Sequence, residues 1–182
     1  IGFKVHGVEI QQNILSKLEA GEPHFYEPKL KESLVRYTQT GDFKFYSSIP
    51  ADCDIDVYII TVGTPLGLDG KVRLDMVEAA AQQISKHAKP DALVILRSTL
   101  RLGTTRNIIC PVLARQEKNL DLAFCPERTV EGQALLELRY LPQIVGGINS
   151  QSTNRAAQLF ERITPNVIKV SSPETAEMIK MI

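Results

Sequence analysis

Residues 57–65 read Val57-Tyr58-Ile59-Ile60-Thr61-Val62-Gly63-Thr64-Pro65. The first five are all β-branched or aromatic, which is strand composition. They do not alternate between polar and apolar, so neither face is meant for water. A strand buried on both faces belongs to a mostly parallel sheet between helical layers. The run then breaks into a loop, residues 62–71, that carries Gly63, Pro65, Gly67 and Gly70.

Working outward, the same pattern recurs. Ala92–Leu96 is a second all-apolar strand, and Leu122-Ala123-Phe124 a third. Between the first two, Asp75 to His87 carries Val77, Ala80, Ala81 and Ile84 at helical spacing. Upstream, Phe3–Val8 reads as a buried strand. A helix follows with Ile10, Ile14, Leu15 and Leu18 on one face, stopped by Gly21. Pro28 opens another helix, with Leu30, Leu34 and Tyr37, and Phe43–Tyr46 is a short strand. Downstream, Gly103-Thr104-Thr105 begins a helix running to about Glu117. Leu135 to Tyr140 is a short helix, Gln143–Val145 a strand, Ser152 to Ile163 a helix and Val167–Val170 the last strand. A further helix starts at Glu174. Strand and helix alternate throughout, which predicts a doubly wound α/β fold. The expected division is one domain over residues 1–172 and the start of a separate helical region over 173–182, parted at Ser171-Ser172-Pro173.

The bulk properties exclude several classes. The chain has 182 residues, 43% apolar and 23% charged, ordinary for a globular protein. Lysine plus arginine and aspartate plus glutamate number 21 each, so the net charge is zero. No electrostatic reason exists to expect nucleic acid or an anionic membrane as partner. No apolar run reaches the ~20 residues of a membrane span, and no secretory leader opens the sequence. Cys53, Cys110 and Cys125 are odd in number and form no C-x-x-C pair, against a disulfide framework or a structural zinc site. Cys110, beside Ile108 and Ile109, reads as a core residue. His6, His24 and His87 are scattered and suggest neither a metal nor a triad. The expectation is a cytoplasmic protein with free thiols and no metal.

In an open parallel sheet, ligands bind beyond the carboxyl ends of the strands. The segments at those ends are Glu9, then residues 62–65, then Ser98-Thr99, then Pro126-Glu127-Arg128. Glu9, directly after a strand and before a helix, can accept both hydroxyls of an adenosine ribose and would repel a 2′-phosphate, which favours NAD over NADP. The alternative is a carboxylate that serves the helix start. A dinucleotide-binding unit also needs a first strand and a G-x-G-x-x-G turn ahead of such an acid, and Gly2 and Gly7 do not make one. Ser98-Thr99 can likewise be a helix cap, Arg128 a surface ion pair and Lys180 a solvated lysine.

Five short motifs in order resemble the UDP-glucose/GDP-mannose dehydrogenase family. They are residues 62–65; Ser98-Thr99 with Gly103-Thr104-Thr105; Cys125-Pro126-Glu127-Arg128 with residues 131–135; residues 141–147; and residues 174–180. The Cys-Pro-Glu-Arg form looks more like the branch acting on UDP-N-acetylhexosamines. The resemblance implies a Rossmann-like NAD-binding domain that lacks its first strand and glycine-rich turn and ends in the start of the central interdomain helix. It also implies NAD as cofactor, a UDP-sugar as substrate and a homodimer built through that helix. The chemistry it implies is oxidation of a primary alcohol to an acid in two hydride transfers, through a cysteine thiohemiacetal and thioester.

By position, the resemblance implies that Glu9, Val62, Gly63, Thr64, Pro65, Leu66, Ser98, Thr99 and Glu131 contact the cofactor. Glu127, Arg128, Thr129, Val130, Glu131 and Lys180 would line the sugar. Thr99, Glu127 and Lys180 would act in catalysis, with Glu127 handling a proton or water and Lys180 stabilising oxyanion charge. The family's cysteine nucleophile lies in a glycine-rich segment that has no counterpart among these residues, and Cys125 matches an ordinary position. The chain alone is therefore expected not to turn over substrate. The alternatives are a single-hydride dehydrogenase of the 6-phosphogluconate or 3-hydroxyacid type, and a non-catalytic nucleotide-binding module.

Overall fold

The computed structural model describes residues 2–68 and 70–181. The chain divides into two compact units. Unit 1 comprises residues 1–53 and 129–141, and unit 2 comprises residues 54–128 and 142–182.

In unit 1, β1 (Val5–Val8) pairs in parallel with β2 (Phe43–Tyr46), in a register that sets Val5 against Phe43 and Val8 against Tyr46. Helices α1 (Gln12–Glu19) and α2 (Leu30–Gln39) connect them and contribute Leu15 and Leu34 to the interior. The first strand differs from its expected form. It begins at Val5, and Val5 and Val8 are 45% and 42% exposed. Among the described residues β1 pairs with β2 alone, so it is an edge and its side chains are only partly covered.

Unit 2 holds a five-stranded sheet in the order β3-β4-β5-β6-β7. The strands are β3 (Val57–Ile60), β4 (Leu93–Leu96), β5 (Asp121–Phe124), β6 (Gln143–Gly147) and β7 (Val167–Lys169). Every residue of β4, β5 and β6 is buried, the polar Asp121 and Gln143 included, whereas Ile59 of β3, expected to be covered, is 48% exposed. Helix α3 (Asp75–His87) follows β3. The expected helix after Gly103 is a π-helical turn, Thr105–Ile109, running into α4 (Cys110–Ala114). Pro111 has no N–H to offer the carbonyl of Asn107, and a wider turn accommodates that loss. Cys110 is half-buried there and not a core residue.

The sheet is parallel from β3 to β5, but β6 runs antiparallel to β5 and β7 is parallel to β6. The last two strands therefore point the other way. Helix α6 (Ser150–Glu161) packs Ala156, Ala157 and Phe160 against Leu93, Ile95, Ala123, Cys125 and Val145. Asn149 caps its start by accepting from the Ser152 N–H at 2.8 Å.

Helix α7 (Pro173–Met181) lies on β6, and the glycine pair Gly146-Gly147 explains how. Successive strand residues face opposite sides. A Cβ at Gly146 would come within 2.3 Å of the Ser172 carbonyl oxygen and 3.0 Å of the Ala176 Cβ. A Cβ at Gly147 would come within 2.4 Å of the Thr153 nitrogen, at the start of α6. Each glycine lets one helix approach the strand backbone.

Gly146→Ala is accordingly expected to destabilise the chain by about 1–3 kcal/mol, the usual cost of overpacking. Gly63→Ala, where no atom lies within 4 Å of the added carbon, should be close to neutral. Urea unfolding of the two variants checks this.

Candidate functional site

The carboxyl edge of β3, β4 and β5 gathers most of the sequence-predicted residues of unit 2. The loop after β3 is fastened to the loop after β4 by two bonds. Ser98 Oγ donates to the Val62 carbonyl at 2.6 Å, and Thr64 Oγ1 donates to the Thr99 carbonyl at 2.8 Å. Ser98 is buried and Thr99 exposed. The capping role does not fall to this pair. The helix start after Gly103 is held by the carboxylate of Glu177, which accepts from the Gly103 N–H (2.5 Å), the Thr105 N–H (2.8 Å) and Thr105 Oγ1 (2.6 Å). Beyond Thr64 the loop turns back on itself, with Leu66 bridged to Val72 and 68% exposed.

Glu127 follows β5. Its Oε2 accepts from the Arg97 guanidinium at 2.5 Å and its Oε1 from the Arg128 N–H at 2.8 Å. Arg97 is 7% exposed. It also donates to Gln143 Oε1 at 3.2 Å and lies over the Phe160 ring, 5.0 Å from its centre. Arg128 is exposed. Lys180, near the end of α7, is within electrostatic reach of Glu127, Arg97 and Arg128. Burial pushes its pKa below the ordinary lysine value; the Glu127 carboxylate opposes that, and the two guanidinium charges add to it. Glu127 and Lys180, expected in catalysis from the family resemblance, lie within electrostatic reach of each other.

Cys125 is fully buried two residues before Glu127. Burial pushes its thiol up to about 12, against a weak opposing pull from Arg97. It is protonated and inaccessible at neutral pH.

Unit 1 carries the remaining candidates. Glu9, directly after β1, accepts from the Gln11 N–H at 2.7 Å through Oε1, so one of its oxygens serves the turn into α1. Both readings of this acid remain in force, because the carboxylate has a second oxygen. Thr129, Val130 and Glu131 lie ahead of α5 (Ala134–Tyr140). Their segment is tied down by carboxylates that sequence reading missed. Glu27, buried, accepts from the Gly132 N–H at 2.8 Å and the Leu135 N–H at 3.3 Å, and Glu137 accepts from the Val130 N–H at 2.6 Å. Val130 is 60% exposed and Glu131 is also exposed.

Arg97, Gln143 and Glu177 were also missed. Arg97 had a readable signal. It continues the face of Leu93 and Ile95 at period two, so a charge there ends an otherwise apolar stripe. Gln143 had none, because its place depends on the reversed direction of β6. Among the described residues no group of three or more histidine, cysteine, aspartate or glutamate side chains could hold a metal ion. No described helix is long and apolar enough to cross a membrane.

A parallel three-stranded core with polar loops and an ion-paired acid at its carboxyl edge defines a doubly wound α/β protein with a ligand site at that edge. The sequence profile of the UDP-glucose/GDP-mannose dehydrogenase family, NAD binding domain, matches residues 1–164, and the chain belongs to that family. It is 31% identical to the UDP-N-acetyl-D-mannosamine dehydrogenase of Escherichia coli (strain K12), over 98% of this chain and 44% of that protein. The fold is similar to that of the UDP-N-acetyl-mannosamine dehydrogenase of Staphylococcus aureus, with a TM-score of 0.90, 28% identity and coverage of 98% of this chain and 44% of the other. It is also similar to a UDP-glucose dehydrogenase from Pyrobaculum islandicum, with a TM-score of 0.88, 29% identity and coverage of 98% and 43%. The chain thus spans under half the length of these relatives.

Two outcomes follow from this geometry. Cys125 should stay unmodified by a thiol reagent in the folded chain while the half-buried Cys53 and Cys110 react, as peptide mapping would show. Glu127→Gln removes the charge that raises the Lys180 pKa, so Lys180 should titrate at lower pH than in the unmodified chain. Carbon-13 methyl NMR of reductively methylated protein reads that titration.

Proposed function

We propose that the protein carrying this chain oxidises the primary alcohol of a UDP-N-acetylhexosamine, with UDP-N-acetylmannosamine as the leading candidate, to the uronic acid. The observation that carries this reading is the ion-paired Glu127 carboxylate at the carboxyl edge of the sheet, within electrostatic reach of Lys180, in a chain of an NAD-binding family. The names of the relatives support the sugar.

The residues present fit NAD. Glu9 keeps one carboxylate oxygen for a ribose. Gly63 has no atom within 4 Å of where a Cβ would stand, so the backbone after β3 lies open to a flat group. Residues 62–66, Ser98, Thr99 and Glu131 would line the cofactor. When bound, NAD accepts the hydride of each oxidation. The chain's own residues position and exchange protons. Lys180 sits beside the reacting oxygen and stabilises the negative charge that grows there. Glu127 accepts a proton or holds the hydrolytic water. Thr99 orients an oxygen through its exposed hydroxyl. Arg128, Thr129, Val130 and Glu131 would face the sugar. The full oxidation consumes one alcohol, two NAD and one water and gives one carboxylate, two NADH and three protons. A thiol of the whole protein holds the aldehyde between the two hydride transfers, and the intact protein pairs through α7 as a homodimer.

The test is the NADH yield per sugar for the protein carrying this chain, across UDP-N-acetylmannosamine, UDP-N-acetylglucosamine, UDP-N-acetylgalactosamine and UDP-glucose. Two NADH per molecule of an acetylated sugar is the expected result. One NADH identifies a single-hydride dehydrogenase, and none with any sugar identifies a binding module. The 182-residue chain by itself is expected to give no product.

A further inference from the structure

Arg97 is a buried charged residue that lies over Phe160 of the apolar layer between the sheet of unit 2 and α6, and its ion-pair partner is Glu127 of the candidate site. Leu93, Ile95, Ala123, Cys125, Val145 and Phe160 form that layer. Arg97 extends it by one strand position and ends in a fork. One nitrogen donates to Gln143 Oε1 at 3.2 Å and another to Glu127 Oε2 at 2.5 Å, with the guanidinium over the Phe160 ring. Removing a guanidinium from water is costly. A buried ion pair is often no more stabilising than apolar residues of the same volume. Three fixed partners for one side chain are what orienting a carboxylate requires.

The topology explains the arrangement. The antiparallel register of β5 and β6 pairs Ala123 with Gly147 and Phe124 with Gly146. Strand β6 begins at Gln143, whose side chain reaches the Arg97 guanidinium at 3.2 Å. Gln143 can therefore brace the guanidinium from the far side of β5, while the Glu127 N–H faces the Arg97 carbonyl at 3.4 Å.

We propose that Arg97, braced by Gln143 and the Phe160 ring, is a positioning residue that fixes the Glu127 carboxylate and sets the charge balance of the Glu127–Lys180 pair. The proposal rests on the reading of Glu127 and Lys180 as the working groups of the site. The charged groups that act on Lys180 electrostatically are Glu127, Arg97 and Arg128. On its own helix, Glu174 is engaged by Arg106 at 2.7 Å and Glu177 by the 103–105 segment.

The experiment compares Arg97→Gln, Arg97→Lys and Gln143→Leu in the protein carrying this chain, with folding checked by thermal melting. Lys180 is followed by carbon-13 methyl NMR, its signal assigned by its loss in Lys180→Arg. Steady-state rates with UDP-N-acetylmannosamine are measured across pH. Arg97→Gln removes a charge that lowers the Lys180 pKa, so Lys180 should titrate at higher pH. The turnover number should fall about 10- to 100-fold, as for a catalytic group displaced by roughly 1 Å, with little change in KM. Arg97→Lys keeps the charge but not the fork, so it should hold the Lys180 titration near its original place and recover only part of the rate. Gln143→Leu should lower turnover without moving Lys180. A folded Arg97→Gln protein with unchanged Lys180 titration and unchanged turnover overturns the proposal. Should Arg97→Gln fail to fold, a folded Gln143→Leu with full turnover overturns it equally. Should the unsubstituted protein oxidise no sugar nucleotide, the functional reading falls; the Lys180 titration then decides on Arg97 alone.

Discussion

A buried carboxylate holds the candidate site together. Glu177 is fully buried and receives three hydrogen bonds from residues 103–105. Burying an unpaired carboxylate would be prohibitive, but the first N–H groups of a helix lack partners and carry partial positive charge. Each satisfies the other. Glu177 stands three residues before Lys180, about one helical turn, so the contact that fixes Glu177 also fixes the rise and rotation of Lys180. The Arg106–Glu174 pair adds a second tie nearer the start of α7. Gly146 does the rest by letting Ser172 and Ala176 sit against β6. Local packing thus determines where a lysine charge falls relative to Glu127.

Much of this was legible in the sequence, for physical reasons. The apolar runs of β4 and β5 announced strands covered on both faces, and both are buried throughout. The segments following those strands contain Thr99 and Glu127, which is where the rule that ligands bind beyond the carboxyl ends of parallel strands points. Three things were not legible. The direction of β6 is set by how its ends connect to α5 and α6, and a short buried strand reads alike both ways. Gln143 and its contact with Arg97 depend on that direction. Glu177 could not be told from a solvated glutamate, since its partners lie more than seventy residues away. The π-helical turn was hidden for a related reason. Pro111 signals a disturbance, but the geometry that absorbs it is decided by packing.

A net charge of zero also conceals the local balance. Lys180 senses three fixed charges, the acid Glu127 and the bases Arg97 and Arg128. With Lys180 itself, that is an excess of positive charge at one edge of a neutral chain. Composition averages it away.

Cys125 shows how far proximity alone misleads. It shares a strand end with Glu127, and the guanidinium of Arg97 is close enough to favour its thiolate. A reactive thiol needs electropositive surroundings and an open approach. Cys125 has the first and lacks the second, and desolvation outweighs the charge, leaving the thiol near 12. Its place in the layer packed on α6 is that of a small apolar side chain. The guanidinium that would activate it is already committed to Glu127 and Gln143. The same burial that makes Arg97 a rigid brace for the acid keeps the neighbouring sulfur inert, so the covalent stage of the proposed oxidation must draw on a thiol other than Cys125.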